Sequence, residues 1–197
     1  MDLIDRLSDA MTAAIRAGDL DEFERLALLA DAAEHEREIR LSSPTALTDA
    51  AGWYARHGIA VFPLKPGQKT PRNGSAGFKD ATTDPATVAT WWKASPDANI
   101  GLPTGHLFDV IDIDGPAGCA AALDLRDEGL IPVVLGHVWT PRGGRHIYVP
   151  PTGDGNATRF RPGLDYRGLG GYVVAPPSIV NGRRYEWLEA YMPAVTT

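Results

Sequence analysis

The spacing of apolar residues predicts two helices at the start of the chain. Apolar side chains recur at helical spacing across residues 3–15, Gly18 breaks the pattern, and it resumes across residues 20–33. The segment Ser42-Ser43-Pro44 that follows has the composition of a linker. The pattern therefore predicts a helical hairpin over residues 1–45, which serves as an appendage or in docking or oligomerisation.

The remaining residues, 46–197, alternate between predicted helices and strands. Helices are predicted at 48–57, where Gly58 ends the helix, from Asp84 and Pro85 onward, and from Pro116 to about Gly129. Strands are predicted at 59–64, 99–103, 107–114, 137–140, 145–149, 163–167 and 171–175, before a last hairpin that turns at Asn181-Gly182. This order predicts an α/β (α+β) fold with a mixed or antiparallel sheet.

Charge is distributed unevenly along the chain. The net charge is -6, yet residues 1–50 hold 5 basic and 12 acidic side chains, whereas residues 51–197 hold 14 basic and 13 acidic ones. Within residues 137–185 there are 7 arginines and 2 acidic residues. The acidic balance therefore belongs to the N-terminal hairpin, and the later part of the chain is compatible with a polyanionic partner.

Composition narrows the class of protein. The chain has 197 residues, no apolar run long enough to span a membrane and no signal-like start, so we expect one main domain in the cytoplasm, with no membrane partner. Cys119 is the single cysteine, which excludes an internal disulfide and argues against a cysteine-rich zinc site. We expect its thiol to be buried.

Two carboxylates share one face of a predicted strand. In the β-branched segment 107–114, side chains alternate between faces, so Asp112 and Asp114 project to one side and Asp109 to the other. Like charges this close favour a divalent cation, and hard oxygen ligands suit Mg²⁺ or Mn²⁺. The alternative is that the pair caps the strand and the helix that follows it. We expect Asp109 to be structural.

A glycine turn precedes the next strand of interest. The run 140–149 places Arg142 and Gly144 before Arg145 and His146, which are residues that can donate to phosphate oxygens. In a regular strand His146 points to the same face as Gly144, and Arg145 points away. The alternatives are a structural histidine and two solvated arginines.

A third carboxylate, Asp165, lies in another apolar strand before a glycine-rich turn. With Asp112 and Asp114 it would complete a site for two divalent ions, of the kind that activates a 3′-hydroxyl and stabilises in-line phosphoryl transfer. Taken alone, Asp165 is equally compatible with a turn residue.

The ordered combination Asp112-x-Asp114, Gly144-Arg145-His146 and Leu164-Asp165 resembles the three motifs of the archaeo-eukaryotic primase superfamily. The similarity is to its bifunctional DNA primase/polymerase N-terminal domain, which is found in plasmids, phages and prophages. The resemblance covers residues 47–188 and includes these upstream segments: Gly58-Ile59-Ala60-Val61-Phe62-Pro63-Leu64, Lys69 with Pro71, Gly77-Phe78-Lys79-Asp80-Ala81-Thr82, Trp91-Trp92 and Asn99-Ile100-Gly101.

The resemblance implies a catalytic core with a sheet like that of an RNA-recognition fold. It assigns metal binding and catalysis to Asp112, Asp114 and Asp165, and nucleotide phosphate binding to His146. The remaining candidates for nucleotide binding are Arg142, Gly144, Arg145 and Lys69, and those for DNA-backbone binding are Arg159, Arg161, Arg183 and Arg184, for which plain surface charge is the alternative.

One position departs from the family pattern. The second motif usually has a small hydroxyl residue two positions before the histidine, and here that residue is Gly144. We expect a backbone amide to take the place of the missing side chain.

The expected function is metal-dependent, template-directed nucleotidyl transfer from nucleoside triphosphates on single-stranded DNA. The expected partners are that template, the triphosphates and a separate helicase or helical primase subunit. Two rival hypotheses are a non-catalytic DNA-binding or replisome-docking module and a metal-dependent phosphoesterase that uses the same acids.

Overall fold

The computed structural model of the protein describes residues 3–30 and 46–190. The chain forms two compact units, Met1–Ala46 and Leu47–Thr197. The predicted linker at residues 42–44 lies outside the described residues. None of the helices described is long and apolar enough to cross a membrane.

The N-terminal unit contains two helices joined at a glycine. Helix α1 (Leu3–Ala17) is followed by helix α2, whose described residues are 20–30. Gly18 has a φ of 70°, a conformation that favours glycine and ends α1. The apolar faces meet at the buried side chains of Leu7, Ala14 and Leu26. The predicted helical hairpin is confirmed.

The second unit combines three helices with eleven strands among its described residues. The helices are α3 (Ala46–Arg56), α4 (Pro85–Ala94) and α5 (Gly115–Asp127), with a short 3-10 helix at Gly77–Asp80. The strands are β1 (Phe62–Leu64), β2 (Asn99–Pro103), β3 (Asp109–Ile113), β4 (Gly136–Trp139), β5 (Arg145–Val149), β6 (Ala157–Arg161), β7 (Leu164–Arg167), β8 (Tyr172–Ala175), β9 (Ile179–Val180), β10 (Arg183–Arg184) and β11 (Glu186–Ala190).

The strands form three antiparallel sheets. The largest has the order β11-β4-β5-β3-β7-β6, the second has the order β1-β2-β8, and β9 pairs with β10 in a hairpin. The predicted α+β fold with an antiparallel sheet is confirmed.

The six-stranded sheet buries both faces in its centre. Ile111, Ile113 and Leu164 pack with Ala121 and Leu125 of α5 on one face. The other face joins the main core, which includes these buried side chains: Phe62, Trp92, Ile100, Leu102, Val110, Val138 and Tyr148. Because strand side chains alternate, Asp112 lies on the same face as Val110, away from α5.

Asp109 lies on the opposite face and is fully buried. Its Oδ2 accepts hydrogen bonds from the Thr152 backbone amide at 2.8 Å and from the Tyr166 hydroxyl at 2.5 Å. These contacts give Asp109 a structural role, as the strand period predicts.

The prediction for Cys119 is wrong, because its side chain is exposed. Helix α5 buries the face that carries Gly118, Ala121, Ala122 and Leu125, and Cys119 lies outside that face. Strands β6 and β11 are also absent from the predicted elements. In β6 the residues are almost all exposed, so the alternation of apolar and polar positions that reveals a strand is missing.

Candidate active site

Strand register brings three predicted site residues side by side. On β3, Asp112 pairs with His146 of β5 on one side and with Asp165 of β7 on the other. Directly paired residues of neighbouring strands project to the same face of a sheet. His146, Asp112 and Asp165 therefore form a row across the sheet, on the face opposite α5.

Asp114 follows the end of β3 and is the residue before the first turn of α5. Its side chain is exposed and accepts no capping hydrogen bond from the helix. The structure therefore does not favour the alternative that this carboxylate serves as a helix cap. Asp112 and Asp114 line one open cavity, together with these residues: Lys69, Thr140, Pro141, Arg142, Val180 and Asn181.

The environment of Asp112 disfavours its charged form. Burial and the negative charge of Asp114 raise the pKa of Asp112 to about 6, against the opposing effects of Arg167 and Lys69. Its side chain is 16% exposed and makes only long polar contacts. A cation bound by both carboxylates would relieve their repulsion.

Both oxygens of Asp165 have partners within its own β-hairpin. The Arg167 guanidinium donates to Oδ2 at 2.7 Å, and the backbone amide of Arg159 donates to Oδ1 at 2.8 Å. The same Arg167 nitrogen lies 3.9 Å from Asp112 Oδ2. Sequence reasoning missed Arg167, although its position two residues after Asp165 in a strand places both side chains on one face.

His146 is almost completely buried, at 4% exposure. Burial lowers its pKa to about 3, and the charges of Lys69 and Arg167 act in the same direction. The imidazole is therefore neutral at pH 7, and its 3.6 Å approach of Nε2 to Asp112 Oδ1 is a polar contact and not an ion pair. Nδ1 is buried and has no hydrogen-bond partner among the described residues.

The position of Gly144 explains why the motif has no hydroxyl side chain there. A Cβ atom at Gly144 would lie 2.4 Å from the Ile113 carbonyl oxygen and 3.2 Å from Asp114 Oδ1. We expected the Gly144 amide to bind a phosphate. It instead donates a hydrogen bond to Thr140 Oγ1 at 3.1 Å, so it is not free to do so. Thr140 lines the cavity and supplies a hydroxyl group at this place.

The predicted nucleotide-binding cations are split between two places. Lys69 and Arg142 line the cavity with Asp112 and Asp114. Arg145 is exposed on the other face of β5, where its guanidinium lies 4.3 Å from the centre of the Trp139 ring. The structure therefore brings Lys69 and Arg142 to the acids and leaves Arg145 apart from them.

The four arginines predicted to bind DNA have different surroundings. Arg161 makes a two-pronged ion pair with Glu128, at 3.0 and 2.7 Å. Arg159 is exposed, next to Asp165 through its backbone amide. Arg183 and Arg184 form β10, in the hairpin that contributes Val180 and Asn181 to the cavity. Their role in DNA binding stays a prediction.

The carboxylates of the site suit a hard divalent cation, but three of them do not form a ready metal-binding group among the described residues. Carboxylate oxygens are the ligands that Mg²⁺ and Mn²⁺ prefer. Within residues 3–30 and 46–190, no three acidic, histidine or cysteine side chains are arranged to hold a metal ion. The oxygens of Asp165 instead contact the Arg159 backbone amide and the Arg167 guanidinium. Asp112 and Asp114 line one cavity and are the acids that would hold such an ion, with Asp165 as the third candidate ligand.

Comparison with known protein families agrees with this geometry. Residues 51–195 match the family described as bifunctional DNA primase/polymerase, N-terminal. No curated protein matches the chain. The family match includes β3, β5 and β7, the three strands that carry the row of Asp112, His146 and Asp165, and it spans well over half of the chain. The chain therefore belongs to the family of bifunctional DNA primase/polymerase N-terminal domains.

Proposed function

We propose that this protein is a DNA primase/polymerase that joins nucleotides from nucleoside triphosphates on a single-stranded DNA template, in the replication of a phage, prophage or plasmid. The observation that carries the proposal is the register that places Asp112 between His146 and Asp165. Asp114 completes the group at a cavity that also contains Lys69. This combination of acids and cations suits a triphosphate bound through divalent ions.

Each residue has a role that follows from its position. Asp112, Asp114 and, after release, Asp165 hold Mg²⁺ or Mn²⁺, which when bound supply the positive charge for activating a 3′-hydroxyl and for stabilising the transferred phosphoryl group. Lys69 and Arg142 face the same cavity and bind the triphosphate oxygens. His146, whose Nε2 lies 3.6 Å from Asp112 Oδ1, contacts the phosphates of the incoming nucleotide.

The template side of the proposal depends on the basic hairpin beside the cavity. Arg183 and Arg184 lie on β10, directly after the turn that lines the cavity at Asn181. Cations along such a surface bind phosphates without reading sequence. We propose that the template passes this hairpin. The cytoplasmic location and the separate helicase or helical primase subunit stay predictions.

The test is incorporation of labelled nucleotides on single-stranded DNA with Mn²⁺ or Mg²⁺, with and without a primer and with each nucleotide type. The double variant Asp112→Ala with Asp114→Ala should lose about a hundredfold or more of the activity, because the ligands of the transferred group are removed. The matched control is Asp124→Ala with Asp127→Ala, which removes two exposed carboxylates of α5 and should leave incorporation unchanged.

Three outcomes would contradict the proposal. Incorporation that survives loss of both acids would show that the carboxylates are not the catalytic ligands. Tight DNA binding without synthesis under either metal would favour a docking module. Release of mononucleotides in place of extension would favour a phosphoesterase.

A further inference from the structure

Arg167 bridges two of the three candidate metal ligands. Its Nη2 atom lies 2.7 Å from Asp165 Oδ2 and 3.9 Å from Asp112 Oδ2. The two carboxylates belong to paired residues of β3 and β7, so the guanidinium lies between side chains that would otherwise repel each other. A positive charge in this position performs the neutralising task that a divalent cation would perform.

The other oxygen of Asp165 is bound by a bulge in β6. Ala157 pairs with Tyr166 and Arg161 with Leu164, so β6 has extra residues between these pairs. Arg159 takes a φ of 50° in this bulge and directs its backbone amide to Asp165 Oδ1 at 2.8 Å. Asp165 is therefore bound on both sides by its own hairpin.

This arrangement makes two kinds of cation compete for one carboxylate. Asp165 Oδ2 accepts a hydrogen bond from Arg167 at 2.7 Å, so a divalent ion bound to the same carboxylate would lie beside the guanidinium and be repelled by its positive charge. Asp112 and Asp114 have no comparably short ion pair among the described residues, so they are the acids available to a first ion. Recruitment of Asp165 as a third ligand requires the guanidinium to leave.

We propose that Arg167 is an internal counter-cation, which occupies the carboxylate of Asp165 beside the metal site and must be displaced when Asp165 becomes a ligand. The proposal rests on the proposed function, because it assumes that these acids bind a divalent cation. Arg167 is a positioning residue in this scheme, since it acts through Asp165. Metal binding by Asp165 and the Arg167–Asp165 ion pair therefore oppose each other, whereas a first ion at Asp112 and Asp114 does not require the pair to break.

A direct test is the affinity for Mn²⁺ alone, measured by electron paramagnetic resonance or calorimetry on the full chain. Arg167→Gln should bind Mn²⁺ roughly three- to tenfold more tightly than the wild type, because the competing ion pair, partly exposed at this place, is gone. Arg167→Lys retains a positive charge and should lie nearer the wild type.

Two controls separate this effect from a general change in charge or fold. Arg126→Gln removes a positive charge from an exposed arginine of α5 and should leave Mn²⁺ affinity unchanged. In a chain that also carries Asp165→Asn, the gain from Arg167→Gln should disappear, since the released ligand is missing. Thermal unfolding of each variant establishes that it is folded at the temperature of the titration.

Unchanged or weaker Mn²⁺ binding by Arg167→Gln would overturn the proposal, because it would mean that Arg167 has no effect on the affinity for the ion or helps to position its ligands. The same holds for a gain that persists with Asp165→Asn. Nucleotide incorporation by the wild type is measured separately, so failure of the counter-cation proposal leaves the proposed function standing, and failure to synthesise DNA would overturn that function by itself.

Discussion

Gly144 packs so closely against the end of β3 that alanine has no room there. The added Cβ atom would lie 2.4 Å from the Ile113 carbonyl oxygen, well inside van der Waals contact. The end of β3 and the turn before β5 would have to separate by about 1 Å. Forcing an extra methyl group into a packed site costs about 1–3 kcal/mol. For a chain of this size that lowers the melting temperature by about 2–12 °C.

The same change should reduce activity more than it reduces stability. Asp114 directly follows Ile113, and its Oδ1 would lie 3.2 Å from the new Cβ atom. A shift of about 1 Å in a ligand of the reacting group can cost about a hundredfold in rate. We expect Gly144→Ala to lower nucleotide incorporation about ten- to a hundredfold at temperatures where the variant is folded.

The assays are thermal unfolding and incorporation of labelled nucleotide, with Gly155→Ala as the matched control. At Gly155 the nearest atom to an added Cβ is 3.9 Å away, so that variant should resemble the wild type in both assays. Gly144→Ser should behave like Gly144→Ala, although serine has the hydroxyl group usual in the motif. If Gly144→Ala or Gly144→Ser matched the wild type in stability, the close approach to Ile113 would be refuted.

Three further predictions follow from the surroundings of single side chains. The folded pKa of Asp112, about 6, exceeds its ordinary value of 3.8, so its ionisation costs stability as pH rises through that window. In the presence of a chelator that removes metal ions, Asp112→Asn should therefore raise the free energy of unfolding at pH 7 by about 1–3 kcal/mol. This difference from the wild type should disappear below about pH 4. Arg183→Gln should weaken the salt dependence of single-stranded DNA binding: the slope of the logarithm of the binding constant against the logarithm of the salt concentration should fall by about 0.7 in magnitude. Arg161→Gln should lower it less, because a carboxylate already neutralises that guanidinium. Tyr54→Phe should cost about 1–3 kcal/mol of stability, since the buried hydroxyl accepts from Trp187 Nε1 and donates to a backbone carbonyl.

These three predictions are checked by denaturant unfolding across pH, by fluorescence anisotropy at several salt concentrations, and by thermal unfolding, respectively. A less stable Asp112→Asn at pH 7 would show that the carboxylate is not penalised in the folded state. Equal slopes for Arg161→Gln and Arg183→Gln would contradict the neutralising role of Glu128. A Tyr54→Phe variant as stable as the wild type would show that the two hydrogen bonds of the buried hydroxyl do not stabilise the fold.

Local chemistry allowed several elements to be predicted from the sequence. Asp84 before Pro85 predicts a helix start, and its carboxylate does accept from the backbone amides of Ala86 and Thr87. Asn181 and Gly182 predict a tight turn, and both have positive φ, of 54° and 73°. Such features depend on a few neighbouring residues, and that is why a single sequence reveals them.

Other features depend on partners that are distant in the sequence. Strand β6 has no apolar alternation, and only its pairing with β7 makes it a strand. The ion pair of Arg161 with Glu128 joins that strand to the residue at the end of α5. The crowding at Gly144 likewise comes from the neighbouring strand β3. These contacts follow from tertiary packing, which no local pattern records.

The candidate site likewise depends partly on local sequence pattern and partly on tertiary packing. The period of two in a strand is enough to place Asp112 on the face away from Asp109, and the ordered motifs indicate which residues belong together. Only the tertiary structure sets the register that aligns Asp112 with His146 and Asp165, because pairing depends on both long-range burial and turn geometry. Only the structure shows that Asp165 is bound by Arg167, since an ion pair in a folded site depends on which competing partners lie within reach.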